Sequence, residues 1–164
     1  MTNVYIAQEN NNNVYVIESK DDKCHRSSTR PDFSMPVNFD VEIESTWQTG
    51  VHNYPYGLEL GSDVNNFYFF GVSGDGYPIV WLYINNEYQK PTLIDWMTNT
   101  AFKGDGKTTN RHKVEVRGDI LKYYVNDKYI GTISNRLNMK NIVVGVSVCD
   151  RQKVAFDNLK IIER

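Results

Sequence analysis

Residues 111–133, RHKVEVRGDILKYYVNDKYIGTI, read as three short strands joined by two tight turns. Val114 and Val116 alternate with Lys113, Glu115 and Arg117, Gly118-Asp119 reverses the chain, and Leu121, Tyr123 and Val125 alternate again before Asn126-Asp127 makes a second reversal. Alternation with a period of two puts one apolar set on a buried face, and Gly, Asn and Asp tolerate the positive φ that two-residue hairpin turns need. The segment is an antiparallel β-meander. Lys113, Glu115 and Arg117 form its solvent face.

The same alternation recurs along the chain. Residues 4–8 and 14–19 are strand candidates separated by a polar Asn-rich loop, and residues 20–36 have little periodicity and read as a long loop. Phe39, Val41 and Ile43 alternate with Asp40, Glu42 and Glu44 in a strand that runs toward Trp47, which shares the apolar parity and belongs to the core. Strands over 56–60 and 66–72 follow a loop at 50–55, and the turn Ser73-Gly74-Asp75-Gly76 leads into a strand over 78–84. The 67–72 and 79–84 strands are apolar on both parities, the mark of central strands or of a sheet with one binding face. Within 90–107, residues 93–97 fit a strand or a short helical turn, and Gly104-Asp105-Gly106 is a loop. Residues 142–149 and 154–162 supply two closing strands. About a dozen short strands at regular spacing indicate an all-β sandwich or barrel.

The chain has 164 residues, which fits a single domain spanning 1–164. Eighteen Lys plus Arg against twenty Asp plus Glu give a net charge of −2, with the basic residues dispersed, so no surface is built to neutralise nucleic-acid phosphates. The apolar runs are too short for a membrane-spanning helix, which needs about 20 residues. The first residues lack the basic start and apolar core of a signal peptide, which leaves a cytosolic protein or an exported one whose leader has been removed. Cys24 and Cys149 match no zinc or redox spacing. A disulfide between them requires the two ends to lie side by side in an oxidising compartment, and two unrelated buried thiols is the simpler expectation.

The order of elements resembles a family. Phe39-Asp40-Val41-Glu42-Ile43-Glu44, Tyr56-Gly57-Leu58-Glu59-Leu60, Asn66-Phe67-Tyr68-Phe69-Phe70 with its Gly-Asp-Gly turn, His112-Lys113-Val114-Glu115-Val116, Tyr123-Tyr124-Val125-Asn126-Asp127-Lys128 and Val154-Ala155-Phe156-Asp157-Asn158-Leu159 follow one another as in the concanavalin A-like lectin/glucanase superfamily. The likeness covers roughly residues 39–162. It implies a jelly-roll sandwich of two antiparallel sheets, one concave and often used to hold sugar chains, in a superfamily with catalytic, sugar-binding and protein-binding members.

Three functions follow as alternatives. The leading one is a non-catalytic, lectin-like module that binds an oligo- or polysaccharide by stacking sugar faces on aromatic rings, with polar neighbours fixing orientation. With Val80, Leu82 and Ile84 in the core, Trp81 and Tyr83 share the opposite face, expected beside Tyr68 and Phe70. Tyr54, Tyr56 and Trp96 are candidate rim residues, and Glu44 and Glu59 complete the candidate binding set. The second is a glycoside hydrolase or lyase centred on Asp40, Glu42 and Glu44. The superfamily's glucanases resemble Glu-x-Asp-x-Glu or Glu-x-Asp-x-x-Glu, whereas the order here is Asp-x-Glu-x-Glu. A solvated acidic face is the simpler reading. The third is a protein-interaction or assembly domain, in which Trp81 and Tyr83 become buried.

His25, His52 and His112 have no mutual spacing for zinc or a catalytic triad and read as surface or loop histidines. Asp63, Asp75, Asp105 and Asp127 fit turn chemistry rather than a calcium loop. Asp157-Asn158 interrupts the last strand and reads as structural. No cofactor or metal motif is visible.

Overall fold

A computed structural model describes residues 2–9, 11–32, 35–96 and 108–164. These form β1 (Thr2–Glu9), β2 (Asn12–Ser19), β3 (Cys24–Thr29), β4 (Asn38–Gly50), β5 (Pro55–Asp63), β6 (Asn66–Ser73), β7 (Pro78–Ile84), β8 (Glu87–Tyr88), β9 (Thr109–Arg117), β10 (Ile120–Val125), β11 (Lys128–Ser134), β12 (Val143–Cys149) and β13 (Gln152–Glu163). Two antiparallel sheets result, one in the order β1-β2-β13-β4-β9-β10-β11 and the other β3-β12-β5-β6-β7-β8. The fold is the expected jelly-roll sandwich.

The alternation of each strand decides which residues meet between the sheets. Phe39, Val41 and Ile43 of β4, with Val114, Val116, Leu121, Tyr123 and Val125 of the meander, face Leu58 and Leu60 of β5, Tyr68 and Phe70 of β6 and Val80 and Leu82 of β7 across one apolar core. The meander has the predicted turns: Gly118 has φ +55°, and Asn126 and Asp127 have φ +50° and +65°. Two adjacent positive values are what a type I′ hairpin demands, and the two strands it joins twist accordingly. Trp47 packs half-buried against the core, its indole N–H donating to the carbonyl of Val51 at 3.3 Å.

Four expectations need correction. Residues 20–36 are not one loop, because 24–29 form edge strand β3, paired with β12 from Cys24↔Cys149 to Thr29↔Val144. Beyond Cys24, the sequence CHRSST has no apolar residue to betray a strand. That pairing also brings the two cysteines together in a disulfide, with Cys24 exposed and Cys149 buried, so they are not two unrelated buried thiols. His112 is not a surface residue but lies in the core, between the Ser45 hydroxyl at 2.7 Å and the Tyr123 hydroxyl at 2.8 Å. Residues 93–96 form neither strand nor helix, only a bridge from Ile94 to Val80, while Met97 and residues 104–106 lie outside the described residues.

Asp157-Asn158 is structural, as expected. The β13 register shifts between Asp157 and Lys160, Asn158 takes φ +53°, and its side-chain amide donates to Glu44 at 2.8 Å. Asp63 likewise accepts the backbone N–H groups of Asn65 and Asn66 at 2.8 and 3.0 Å, and closes the β5–β6 turn.

Candidate functional site

The solvent-facing side of the β3-β12-β5-β6-β7-β8 sheet is built from the residues that the core leaves out. With Leu58 and Leu60 inward, β5 presents Gly57, Glu59 and Gly61 outward, while β12 presents Gly145, Ser147 and Cys149. Small side chains there make a trough. On one side β6 and β7 raise a wall of rings: Phe67 pairs with Tyr83 and Phe69 with Trp81 in the strand register. The Phe67 and Tyr83 rings stack with centroids 4.7 Å apart and planes within 8°, and Phe69 and Trp81 are 5.4 Å apart. Tyr88 of β8 closes the row, 6.1 Å from Trp81 and 5.9 Å from Tyr83. Phe67 and Phe69 form the buried layer, 5% and 2% exposed. Trp81 and Tyr83 stand half-exposed on top.

On the other side edge strand β3 contributes Arg26. Its Nε donates to both carboxylate oxygens of Glu59, at 2.8 and 2.7 Å, its Nη1 donates to the carbonyl of Val64 at 3.0 Å, and the guanidinium lies 3.5 Å from the centre of the Phe67 ring. Between the two sides runs a groove of about 200 Å³ lined by Arg26, Glu59, Phe69, Trp81, Tyr83 and Ser147, with the disulfide at one wall. Glu59 is only 2% exposed. Burial pushes its carboxyl up to about 7, against the pull of Arg26 and Ser147 toward the ionised form. The groove thus joins flat rings to a donor and an acceptor whose charges offset each other. Such a surface suits an uncharged, polyhydroxylated ligand better than an ion.

The sequence candidates fall into separate places. Trp81, Tyr83 and Glu59 come together in this groove. Their neighbours on β6 are Phe67 and Phe69, not Tyr68 and Phe70, whose rings are fully buried in the core. Tyr56 is no rim residue either: it is 2% exposed, and burial pushes its phenol up to about 12. Tyr54 (42% exposed) sits in the loop before β5, and Trp96 (42% exposed) follows the Ile94 bridge at the β7 edge. Neither lines the groove.

Glu44, with Asp40 and Glu42, lies on the outer face of the other sheet. Asp40 is 1% exposed and receives Arg117 and Arg164, each at 2.7 Å. Burial raises its carboxyl, but the two guanidiniums outweigh that and hold it below the usual carboxylate range. Glu42 faces Arg111 at 3.8 Å. Glycosidic hydrolysis needs two carboxyls open to the substrate, whereas Asp40 is buried with its two oxygens taken up by Arg117 and Arg164. Among the described residues no cluster of His, Cys, Asp and Glu is arranged to hold a metal ion.

Sequence reading missed Arg26, Phe67, Phe69 and Ser147. Register would have found the two phenylalanines, since Gly71, Phe69 and Phe67 share the parity of Ile79, Trp81 and Tyr83 across the β6–β7 hairpin. Nothing in CHRSST announces Arg26.

No family model and no curated protein matches the chain in sequence. Solved structures match in fold. The chain is similar to the carbohydrate-binding module CBM66 from Bacillus subtilis, with a TM-score of 0.71 and 18% identity over 99% of this chain and 94% of that one. It is also similar to the Bacteroides ovatus mixed linkage glucan PUL GH16 in complex with a G4G4G3G product, at TM-score 0.68 and 10% identity over 97% and 85% of the two chains. Xenopus laevis galectin-Ib gives 0.64 and 14% over 84% and 99%. These structures share the concanavalin A-like jelly-roll fold, and this chain has that fold.

Proposed function

We propose that this protein is a non-catalytic carbohydrate-binding module whose site is the aromatic groove on the β3-β12-β5-β6-β7-β8 sheet. One observation carries the reading: half-exposed Trp81 and Tyr83 line the same groove as a partly exposed Arg26 that is paired with the buried Glu59. Sugars need both features, since their C–H faces stack on rings while their hydroxyls both donate and accept hydrogen bonds. Trp81 is the stacking platform, Tyr83 and Tyr88 extend it, and Arg26, held in place by the buried Glu59, meets the hydroxyls. The ligand class is an uncharged oligo- or polysaccharide. Neighbours of the same fold described as a carbohydrate-binding module and as galectins support this reading without naming a ligand for this chain.

Affinity electrophoresis through gels containing a panel of soluble neutral and acidic polysaccharides tests it. The expected result is retardation by at least one neutral polysaccharide and none by the charged ones. Unretarded migration through the whole panel ends the proposal.

A further inference from the structure

We propose that the Cys24–Cys149 disulfide is a redox strap: it holds edge strand β3, and with it Arg26, against the aromatic groove, and its reduction releases the strand and switches off sugar binding. The inference rests on the carbohydrate reading above and adds its control.

Beyond its ladder with β12 and the contacts of Arg26, strand β3 has few attachments. It is the last strand of its sheet and pairs with β12 alone. Its inward side chains are His25, Ser27 and Thr29, so it lacks the apolar burial that anchors the other strands. Beneath it the two sheets do not close, and a cavity of about 430 Å³ opens between Ser27 and Thr29 on one side and Tyr15, Ile43 and Phe156 on the other. Its remaining side-chain and terminal ties are that Ser27 accepts from the Tyr15 hydroxyl, Arg26 meets Glu59 and Val64 and lies over the Phe67 ring, and the Lys23 carbonyl accepts from the Asp150 N–H at 2.9 Å. Edge strands held by few contacts open locally at low free energy. The disulfide is the one covalent constraint, and it stands two residues from Arg26 on the same face, with both cysteines lining the groove.

The bond is also open to attack from one side. Cys24 is exposed, whereas Cys149 is 2% exposed. A small dithiol reductant, acting through one thiolate, would strike the Cys24 sulfur and expel the Cys149 thiolate, which takes up a proton. The second thiol of the reductant then displaces Cys24 from the mixed disulfide and closes its own disulfide. Two electrons and two protons pass to the protein, which ends with two thiols. The freed end of β3 frays toward Arg26. Once the guanidinium leaves, the carboxylate of Glu59 is buried without its partner, and the groove loses both its donor and its geometry.

Hydrogen exchange by mass spectrometry on oxidised and reduced protein reads the strap without any ligand. Amides of residues 24–29 should exchange about tenfold faster after reduction while β5 to β7 keep their protection. Affinity electrophoresis on the retarding polysaccharide should show a loss of about tenfold in affinity, reversed by reoxidation. A Cys24→Ser/Cys149→Ser variant should stay weak whatever the redox state; should it not fold, native protein reduced and alkylated replaces it. Unchanged exchange in β3, or unchanged affinity in the reduced protein, overturns the proposal. A protein that binds no polysaccharide in either state fails the carbohydrate reading instead, and the exchange rates still decide whether the strap exists.

Discussion

Trp81 and Phe69 are partners in the β6–β7 ladder, yet they stand in different layers, and their substitutions separate binding from stability. Trp81 is half-exposed above Phe69, which is 2% exposed. Replacing Trp81 by Ala removes a stacking surface and lowers affinity for a retarding polysaccharide by about tenfold, since an aromatic contact contributes about 0.5–1.5 kcal/mol beyond its buried area. Its circular dichroism and melting curve should stay close to wild type. Phe69→Ala empties a filled position instead and destabilises by about 3 kcal/mol, read as a lower denaturation midpoint. If Trp81→Ala binds as well as wild type, the rings are structural and the site lies elsewhere.

At the scale of the element, the meander and β3 stand at opposite ends of legibility. The meander could be read because two apolar alternations and two turn dipeptides agree, and the structure repeats both, with one register shift where β10 meets β11. Asn126 shows how much its turn depends on chemistry. It sits at φ +50°, accepts the Arg111 N–H at 2.9 Å and donates to the Asn110 side chain at 2.9 Å. Asn126→Ala should therefore cost about 2 kcal/mol, from left-handed strain and lost hydrogen bonds together, measured by urea unfolding. A change below about 0.5 kcal/mol would show that the turn tolerates any residue. Strand β3 could not be read, because its partners lie more than a hundred residues away and its inward face is polar. The candidate site was half legible for the same reason: Trp81, Tyr83 and Glu59 lie on strands with a clear period, whereas the ring partners required the β6–β7 register and Arg26 required a pairing with β12. Tyr56 misled because an aromatic residue beside a loop looks the same in sequence whether it points inward or outward.

Across the whole molecule two buried groups on different sheets oppose each other in pH. Burial lowers His112 from 6.5 to about 3, so the folded state keeps it neutral while the unfolded chain takes up a proton. Its contribution is fully present above pH 6.5 and is lost as pH falls toward 3. Glu59 is shifted the other way, from 4.5 to about 7, so its contribution is fully present below pH 4.5 and is lost as pH rises through 7. Between pH 6.5 and 4.5 the two slopes cancel, each amounting to about 3 kcal/mol. Unfolding free energy of the native protein should be nearly flat there, while Glu59→Gln should lose about 3 kcal/mol over the same interval on acidification. Parallel curves for the two proteins would remove Glu59 from the balance.

The two-faced β6–β7 hairpin has a consequence for how the molecule is made. One side of its ladder carries Tyr68, Phe70, Val80 and Leu82, and the other carries Phe67, Phe69, Ile79 and Trp81. Until β5 flanks it and the opposite sheet covers its inner side, this segment is a sticky ribbon with no charged gatekeeper between Phe67 and Val72 or between Ile79 and Ile84. The rings proposed to seat a sugar are thus also the surface through which incompletely folded chains would adhere to one another. Refolding at high protein concentration should scatter light in proportion to how long that hairpin waits for its neighbours.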